Sequence, residues 1–115
     1  MKISEFDAVV ESAGRRLAYL NNWREAAGKI REIVMEFYPD ARVFVFGSVL
    51  SGRITAASDI DLLVIRGEDA RRVDSLVRAE AWRRMPYCPA PLHFATEREF
   101  SRWYMRFIDK FVEVV

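Results

Sequence analysis

Hydrophobic positions in the first third of the chain recur at the spacing of two amphipathic helices. Ser4 is a candidate N-cap for the first helix, and Asn21-Asn22 separates it from the second, which ends before Pro39. The narrow apolar stripe of the first helix could pack against a helical partner or a second copy of the chain as well as against the core of its own chain. Packing in the core is the default expectation. The first stripe consists of Ile3, Phe6, Val10, Ala13, Leu17 and Leu20, and the second of Trp23, Ala26, Ala27, Ile30, Ile33, Val34 and Phe37.

Beyond Pro39, short β-rich runs alternate with further helices. Residues 43–46, 59–65 and 92–95 are apolar runs typical of buried strands, and a helix is predicted over 69–84. Val73, Leu76 and Val77 are expected to face inward on that helix. Because helices and strands alternate, we predict an α/β (α+β) fold in which helices pack against a small mixed sheet.

The last quarter of the chain opens with TERE at residues 96–99, a capping-box signature that predicts a helix. The final residues, FVEVV, either continue this helix or turn into a strand. One face of the predicted helix carries Phe100, Trp103, Tyr104, Phe107, Ile108 and Phe111.

Composition narrows the class of protein further. A chain of 115 residues with 51% hydrophobic residues is expected to form a single domain over residues 1–115. A net charge of +1 gives no overall attraction to nucleic acid or membrane. The single cysteine, Cys88, excludes an internal disulfide and fits a reducing compartment. No apolar run approaches the roughly 18 residues of a membrane span, so we expect a cytoplasmic protein without membrane contact.

Two aspartates lie at the start of the predicted second strand. Asp59 and Asp61, two residues apart on a strand, would point to the same face about 6–7 Å from each other. Such a pair needs cations, hydrogen-bond donors or a shared proton. An ordinary alternative is that both side chains cap a turn or pair with Arg53 or Arg66.

A glycine and a serine follow the first predicted strand directly. Gly47 lets a ligand approach the backbone, and exposed N–H groups at the start of a short helix attract anions. The Ser48 hydroxyl adds a donor, and Gly52 would allow a tight turn that ends the short helix. An ordinary strand exit is the alternative. Together with the carboxylate pair, the segment suits a nucleoside triphosphate bound with Mg²⁺.

The pattern of Gly47-Ser48, ten residues, and then Asp59-Ile60-Asp61 resembles the signature of the nucleotidyltransferase superfamily related to DNA polymerase β. The short chain is similar to its minimal nucleotidyltransferases. The resemblance implies transfer of a nucleoside monophosphate, AMP from ATP, to a hydroxyl acceptor by a two-metal reaction.

The resemblance also implies roles for individual residues. Asp59 and Asp61 would be catalytic and would hold Mg²⁺, while Gly47 and Ser48 would hold the β- and γ-phosphates. Two further nucleotide-binding candidates are Ser58, which precedes the first aspartate, and Arg53, for which a solvated loop position is the alternative.

The chain departs from the superfamily pattern at the third carboxylate, which usually lies on a later strand. The candidate strand, PLHFA, offers Pro91 and His93, and no Asp or Glu occurs between Glu80 and Glu97. His93 is a possible third site residue, acting as a neutral ligand or as a base, and a structural role is the alternative.

Two function classes follow from this pattern. The first is an active enzyme whose acceptor lies on a partner protein, because minimal nucleotidyltransferases often occur beside a small helical HEPN protein as antitoxin and toxin. The second is a catalytically impaired nucleotide-binding or antitoxin module that acts by pairing with such a partner. A homo-oligomer is the alternative to a HEPN-type partner. The arginines of residues 71–84 are interleaved with acids, so a solvated face is preferred there over a nucleic-acid contact.

Overall fold

The computed structural model describes residues 4–104, 106 and 110–115, without the side chains of residues 103 and 104. Within these residues, a short 3₁₀ helix, Ser48–Ser51, follows the first strand, and a π-helical turn, Phe100–Tyr104, follows the last helix. The other elements are α1 (Glu5–Asn21), α2 (Trp23–Phe37), β1 (Arg42–Phe46), β2 (Asp61–Arg66), α3 (Asp74–Arg84), β3 (Leu92–Thr96), α4 (Glu97–Glu99) and β4 (Phe111–Glu113).

The four strands form one mixed sheet in the order β3-β2-β1-β4. β1 pairs antiparallel with both β2 and β4, whereas β2 and β3 run parallel. The predicted α+β fold with helices against a small mixed sheet is confirmed.

The two faces of the sheet are covered unequally. Alternate residues of β1 and β2, such as Val45 and Leu62, are buried against α2 and α3 on one face. The opposite face has a smaller cluster, in which Phe44 and Leu63 pack against Phe100. Asp61 has the same parity along β2 as Leu63, so it lies on this second, more open face.

Helix α1 differs from the expectation that its apolar stripe enters the core. The Ser4 cap is confirmed, since its hydroxyl accepts a hydrogen bond from the Asp7 N–H at 3.1 Å. Only Leu20 is buried, whereas Phe6 is 75%, Val10 54% and Leu17 39% exposed. The core expectation is wrong for most of the stripe because α2, not α1, covers the sheet. Ile3 lies outside the described residues.

Helix α3 begins at Asp74, later than predicted. Val77 is buried, but Leu76 is 58% exposed, so the prediction that Leu76 faces inward is wrong. The start is set by Tyr38, whose hydroxyl accepts a hydrogen bond from the Val73 N–H at 2.7 Å and donates one to Asp74 at 2.6 Å. A contact from a distant segment therefore holds the start of α3.

The capping box at Thr96 and Glu99 is confirmed, and α4, which it begins, runs directly into the π-helical turn. Phe111 belongs to β4 and pairs with Phe46, so the prediction that it lies on a long helical stripe is wrong and the strand alternative for FVEVV is correct. β4 covers an edge of β1 that would otherwise be unpaired, and Phe111 packs edge-on against Phe44 at 5.3 Å. Of the remaining predicted stripe, the side chains of Trp103 and Tyr104 and residues 107 and 108 lie outside the described residues.

None of the helices in the described residues is both long enough and apolar enough to cross a membrane.

Candidate functional site

Asp61 is the first residue of β2 and lies opposite Phe46, the last residue of β1. His93, on β3, pairs with Leu63 and therefore projects from the same face of the sheet as Asp61. The Nε2 of His93 is 4.0 Å from Oδ1 of Asp61, and its ring packs beside Phe46. β3, the strand predicted to border the carboxylates, therefore lies beside Asp61.

Asp59 lies in the loop before β2, so the expectation that both aspartates belong to the strand is wrong. The ladder cannot extend back to Asp59 because β1 ends at Phe46 and the chain then turns into the 3₁₀ helix. The intervening Ile60 is fully buried, and its N–H donates to the Pro89 carbonyl at 2.7 Å. The side chain of Asp59 is 46% exposed, that of Asp61 only 28%.

The local environment raises the pKa of the Asp61 carboxyl above its usual value of 3.8. Burial is the main cause, and the nearby negative charge of Asp59 adds to it, while His93 acts in the opposite direction. The fold therefore holds Asp61 where a cation would be favourable.

Gly47 has a positive φ of +88°, a backbone conformation that favours glycine. A Cβ at this position would collide with the carboxylate of Asp61. The turn that carries Ser48 therefore lies directly against the acid, with Ser48 exposed beside it. The structure brings together the two halves of the predicted motif.

The loop between the motif's two halves is closed by its own hydrogen bonds. Ser58 is buried, and its hydroxyl accepts a hydrogen bond from the Thr55 N–H at 2.8 Å. Arg53, in the same loop, is exposed. Ser58 thus shapes the loop that presents Asp59.

Arg16, on α1, is a site residue that sequence reasoning missed. Its Nη2 donates to Oδ1 of Asp59 at 2.8 Å, across 43 positions of the chain. Helical periodicity places Arg16 on the flank of the apolar stripe, but no local pattern in the sequence indicates its partner. Arg66, considered as a partner for the aspartates, instead pairs with Asp74 at 3.1 Å.

Other candidate residues have ordinary structural surroundings. Burial raises the pKa of Cys88 to about 11, which fits packing rather than thiolate chemistry. On α3, Glu80 pairs with both Arg83 and Arg84, as expected of a solvated charged face.

Comparison with known proteins identifies the family. Residues 27–114 match the nucleotidyltransferase domain family. The chain belongs to this family. No curated protein matches the chain significantly.

The nucleotidyltransferase domain also has a similar fold among solved structures. A crystal structure titled as that of a "putative nucleotidyltransferase from Sulfolobus solfataricus" superimposes with a TM-score of 0.56 at 21% identity. The match covers 86% of this chain and 85% of that chain. The likeness supports the fold of the domain.

Nucleotidyltransferase domains generally use a divalent metal ion. Among the described residues, no group of three His, Cys, Asp or Glu side chains has metal-site spacing. However, two carboxylates lie close enough for Asp59 to raise the pKa of Asp61, and carboxylate oxygens are the ligands that Mg²⁺ prefers. The donor set therefore fits a divalent cation that water or substrate oxygens would also coordinate.

Proposed function

We propose that this nucleotidyltransferase domain transfers AMP from ATP to a hydroxyl group on a partner protein. The observation that carries the proposal is the contact between Gly47 and Asp61. It places an exposed turn with no side chain at Gly47 directly beside a carboxylate whose pKa is raised. Asp61 would then be available to hold the Mg²⁺ that accompanies a triphosphate bound in this turn.

In this proposal, each motif residue has a separate task. The backbone at Gly47 and the hydroxyl of Ser48 bind the β- and γ-phosphates, and Arg53 reaches the same phosphates from its exposed loop. Asp59 and Asp61 hold Mg²⁺, which when bound neutralises phosphate charge and makes the acceptor hydroxyl easier to ionise. Ser58 contributes through the loop conformation that its hydrogen bond maintains.

The reaction is an in-line displacement at the α-phosphorus. The acceptor oxygen forms a bond to the α-phosphorus, the bond from that phosphorus to the α–β bridging oxygen breaks, and pyrophosphate leaves. The hydroxyl proton must pass to a base. We assign this role to His93, because its imidazole lies on the same face as Asp61 and its side chain is 42% exposed.

A partner protein is proposed as the acceptor because α1 leaves an apolar surface exposed among the described residues. The exposed apolar residues of α1, including Phe6 and Val10, offer a surface for a small helical partner of the HEPN type. The pairing would follow the toxin–antitoxin arrangement.

Label transfer tests the proposed reaction. The purified protein, Mg²⁺ and ATP labelled at either the α- or the γ-phosphate are incubated with a copurifying helical partner. Incorporation of the α-label but not the γ-label, with release of pyrophosphate, is expected. Asp61→Asn should abolish incorporation, and Asp69→Asn, at an exposed acid away from the site, is the matched control.

Transfer of the γ-label instead would mean phosphoryl transfer and would contradict the proposal. Incorporation that survives in Asp61→Asn would exclude the assigned site.

A second candidate function is nucleotide binding without transfer, in a module that acts by pairing with its partner. The composition of β3 favours it, since Leu92–Thr96 contains no Asp or Glu and so offers no third carboxylate beside Asp61. This candidate predicts Mg²⁺-dependent ATP binding by calorimetry, a partner complex that persists in Asp61→Asn, and no incorporated label.

A further inference from the structure

Arg16 connects helix α1 to the loop that carries Asp59. Its Nε donates to the Ala56 carbonyl at 2.9 Å, and its Nη2 donates to the Ser58 carbonyl and to Oδ1 of Asp59, both at 2.8 Å. The planar guanidinium thus holds the backbone of the loop and the carboxylate at once. Arg16 also lies outside residues 27–114, the part of the chain that matches the family.

The rest of α1 has few connections to the domain. Leu20, near its end, is its buried residue, and Arg15 contacts its own helix through Glu11 and lies 5.5 Å from the centre of the Tyr87 ring. Within the described residues, the hydrogen bonds of Arg16 are those that join α1 to the candidate site. The contact is therefore specific to one side chain.

Asp59 needs such an external anchor more than Asp61 does. Asp61 is held by the ladders of β2, whereas Asp59 precedes the strand and is 46% exposed. A half-exposed carboxylate in a loop samples several rotamers unless another group holds it, and that freedom is lost when it binds an ion.

We propose that Arg16 is a positioning residue of the nucleotidyltransferase site, holding Asp59 by Oδ1 and leaving Oδ2 to bind the divalent ion. In the described part of the chain, no hydrogen bond reaches Oδ2 of Asp59. The inference rests on the proposed function, in which Asp59 is a metal ligand. In this proposal α1 is part of the site, although it lies outside residues 27–114.

The positive charge of the Arg16 guanidinium repels a nearby cation. The gain in metal affinity from orienting the Asp59 carboxylate must therefore outweigh this repulsion. Water screens the repulsion at this half-exposed position, whereas it does not weaken the geometric effect. Metal-bound carboxylates are commonly held by outer hydrogen bonds, and losing such a partner costs about 10–100-fold in metal affinity.

Binding of Mn²⁺ alone to the purified full chain tests the inference, with free Mn²⁺ measured by electron paramagnetic resonance. Arg16→Ala should weaken binding by about 10–100-fold. Arg16→Lys keeps the charge but cannot reproduce the forked contact, so its affinity should lie between those of Arg16→Ala and the unmodified chain. Arg15→Ala removes the adjacent arginine and its contacts to Glu11 and Tyr87, and should leave Mn²⁺ affinity unchanged.

Unchanged or tighter Mn²⁺ binding in Arg16→Ala would overturn the inference, because it would show that the guanidinium is neutral toward the ion or competes with it. If thermal unfolding shows that Arg16→Ala does not fold, Arg16→Lys provides the measurement, and unmodified affinity in that variant overturns the inference equally.

Asp61→Asn separates failure of this inference from failure of the proposed function. Mn²⁺ binding that depends on Asp61 but not on Arg16 overturns the positioning role alone. Binding that is absent from the unmodified chain, or that ignores Asp61→Asn, overturns both.

Discussion

Strand β2 has a charged residue at each end, and the two charged side chains have different partners. At one end, Arg66 is buried and makes two hydrogen bonds to Asp74, which also accepts one from the Tyr38 hydroxyl. At the other end, Asp61 contacts a glycine turn and has His93 at 4.0 Å.

The pKa values of the two acids show the consequence. Burial tends to raise the pKa of Asp74, but the hydrogen bonds from Arg66 and Tyr38 outweigh it and hold the value below 3.8. Burial and the charge of Asp59 raise the pKa of Asp61 above 3.8. Hydrogen bonds within the chain compensate the charges at the Arg66 end, whereas the described residues give Asp61 no such hydrogen bond, which is the condition expected of a binding site.

The largest effect is expected when Asp61 is replaced, and it should fall on nucleotidyl transfer rather than on stability. Asp61→Asn should lower nucleotidyl transfer on the order of 10³-fold, about 4 kcal/mol of transition-state stabilisation, because it removes a proposed metal ligand. The metal-free variant should be at least as stable as the unmodified chain, since a crowded carboxylate is lost. Label transfer and urea unfolding of the same preparations measure both; a strongly destabilised Asp61→Asn would contradict the contrast between the ends.

The next effect is expected at the Arg66 end. Asp74→Ala should destabilise the domain by about 3 kcal/mol, because Arg66 would remain buried without its partner. Urea unfolding measures the loss, and Glu80→Gln, which breaks exposed ion pairs on the same helix, should leave the midpoint unchanged. A midpoint in Asp74→Ala equal to that of Glu80→Gln would show that the pair is not structural.

A smaller effect tests how closely the glycine turn approaches Asp61. Gly47 and Gly52 both have positive φ, +88° and +75°, but only at Gly47 would a Cβ meet another side chain. Gly52→Ala should cost about 1 kcal/mol from backbone strain, and Gly47→Ala about 2 kcal/mol or more.

A double variant sharpens this comparison. In an Asp61→Ala background the cost of Gly47→Ala should fall, because the collision with the carboxylate is removed, as measured by urea unfolding. It should stay above the cost of Gly52→Ala, because the φ of +88° and ψ of −161° at Gly47 belong to a region that is essentially restricted to glycine. Additive costs would mean that the turn does not contact the acid.

The smallest effect concerns pH, with EDTA present to keep the protein metal-free. A raised folded pKa gives Asp61 a contribution to stability that is complete below its unfolded value, near 3.8, and is lost as pH rises through the folded value. The stability of the unmodified chain relative to Asp61→Asn should therefore increase as pH falls from 7 toward 4.

The lowered pKa of Asp74 predicts the opposite dependence. Its contribution is present above about pH 3.8 and is lost as pH falls through the folded value. The difference between the unmodified chain and Asp74→Asn should be constant from pH 7 to 4.5 and shrink below pH 4. Urea midpoints across this range test both directions, and parallel curves for the two variants would contradict them.

Local sequence patterns determined much of this protein. The periods of α2, β1 and β2, the Ser4 cap and the Thr96 capping box depend on neighbouring residues, so they could be predicted without tertiary information. The motif from Gly47 to Asp61 could also be found in the sequence, because it is a fixed spacing of residue types within one stretch of the chain.

Only the tertiary structure decided which charges and apolar faces find partners. Arg16 reaches Asp59 across 43 positions, and Tyr38 sets the start of α3 across 36, distances at which sequence spacing carries no geometric information. The α1 stripe has the period of a core helix, yet Phe6 and Val10 remain exposed because α2 already covers the sheet. Periodicity specifies which face of a helix is apolar, but the competition among elements for a limited sheet surface decides whether that face is buried.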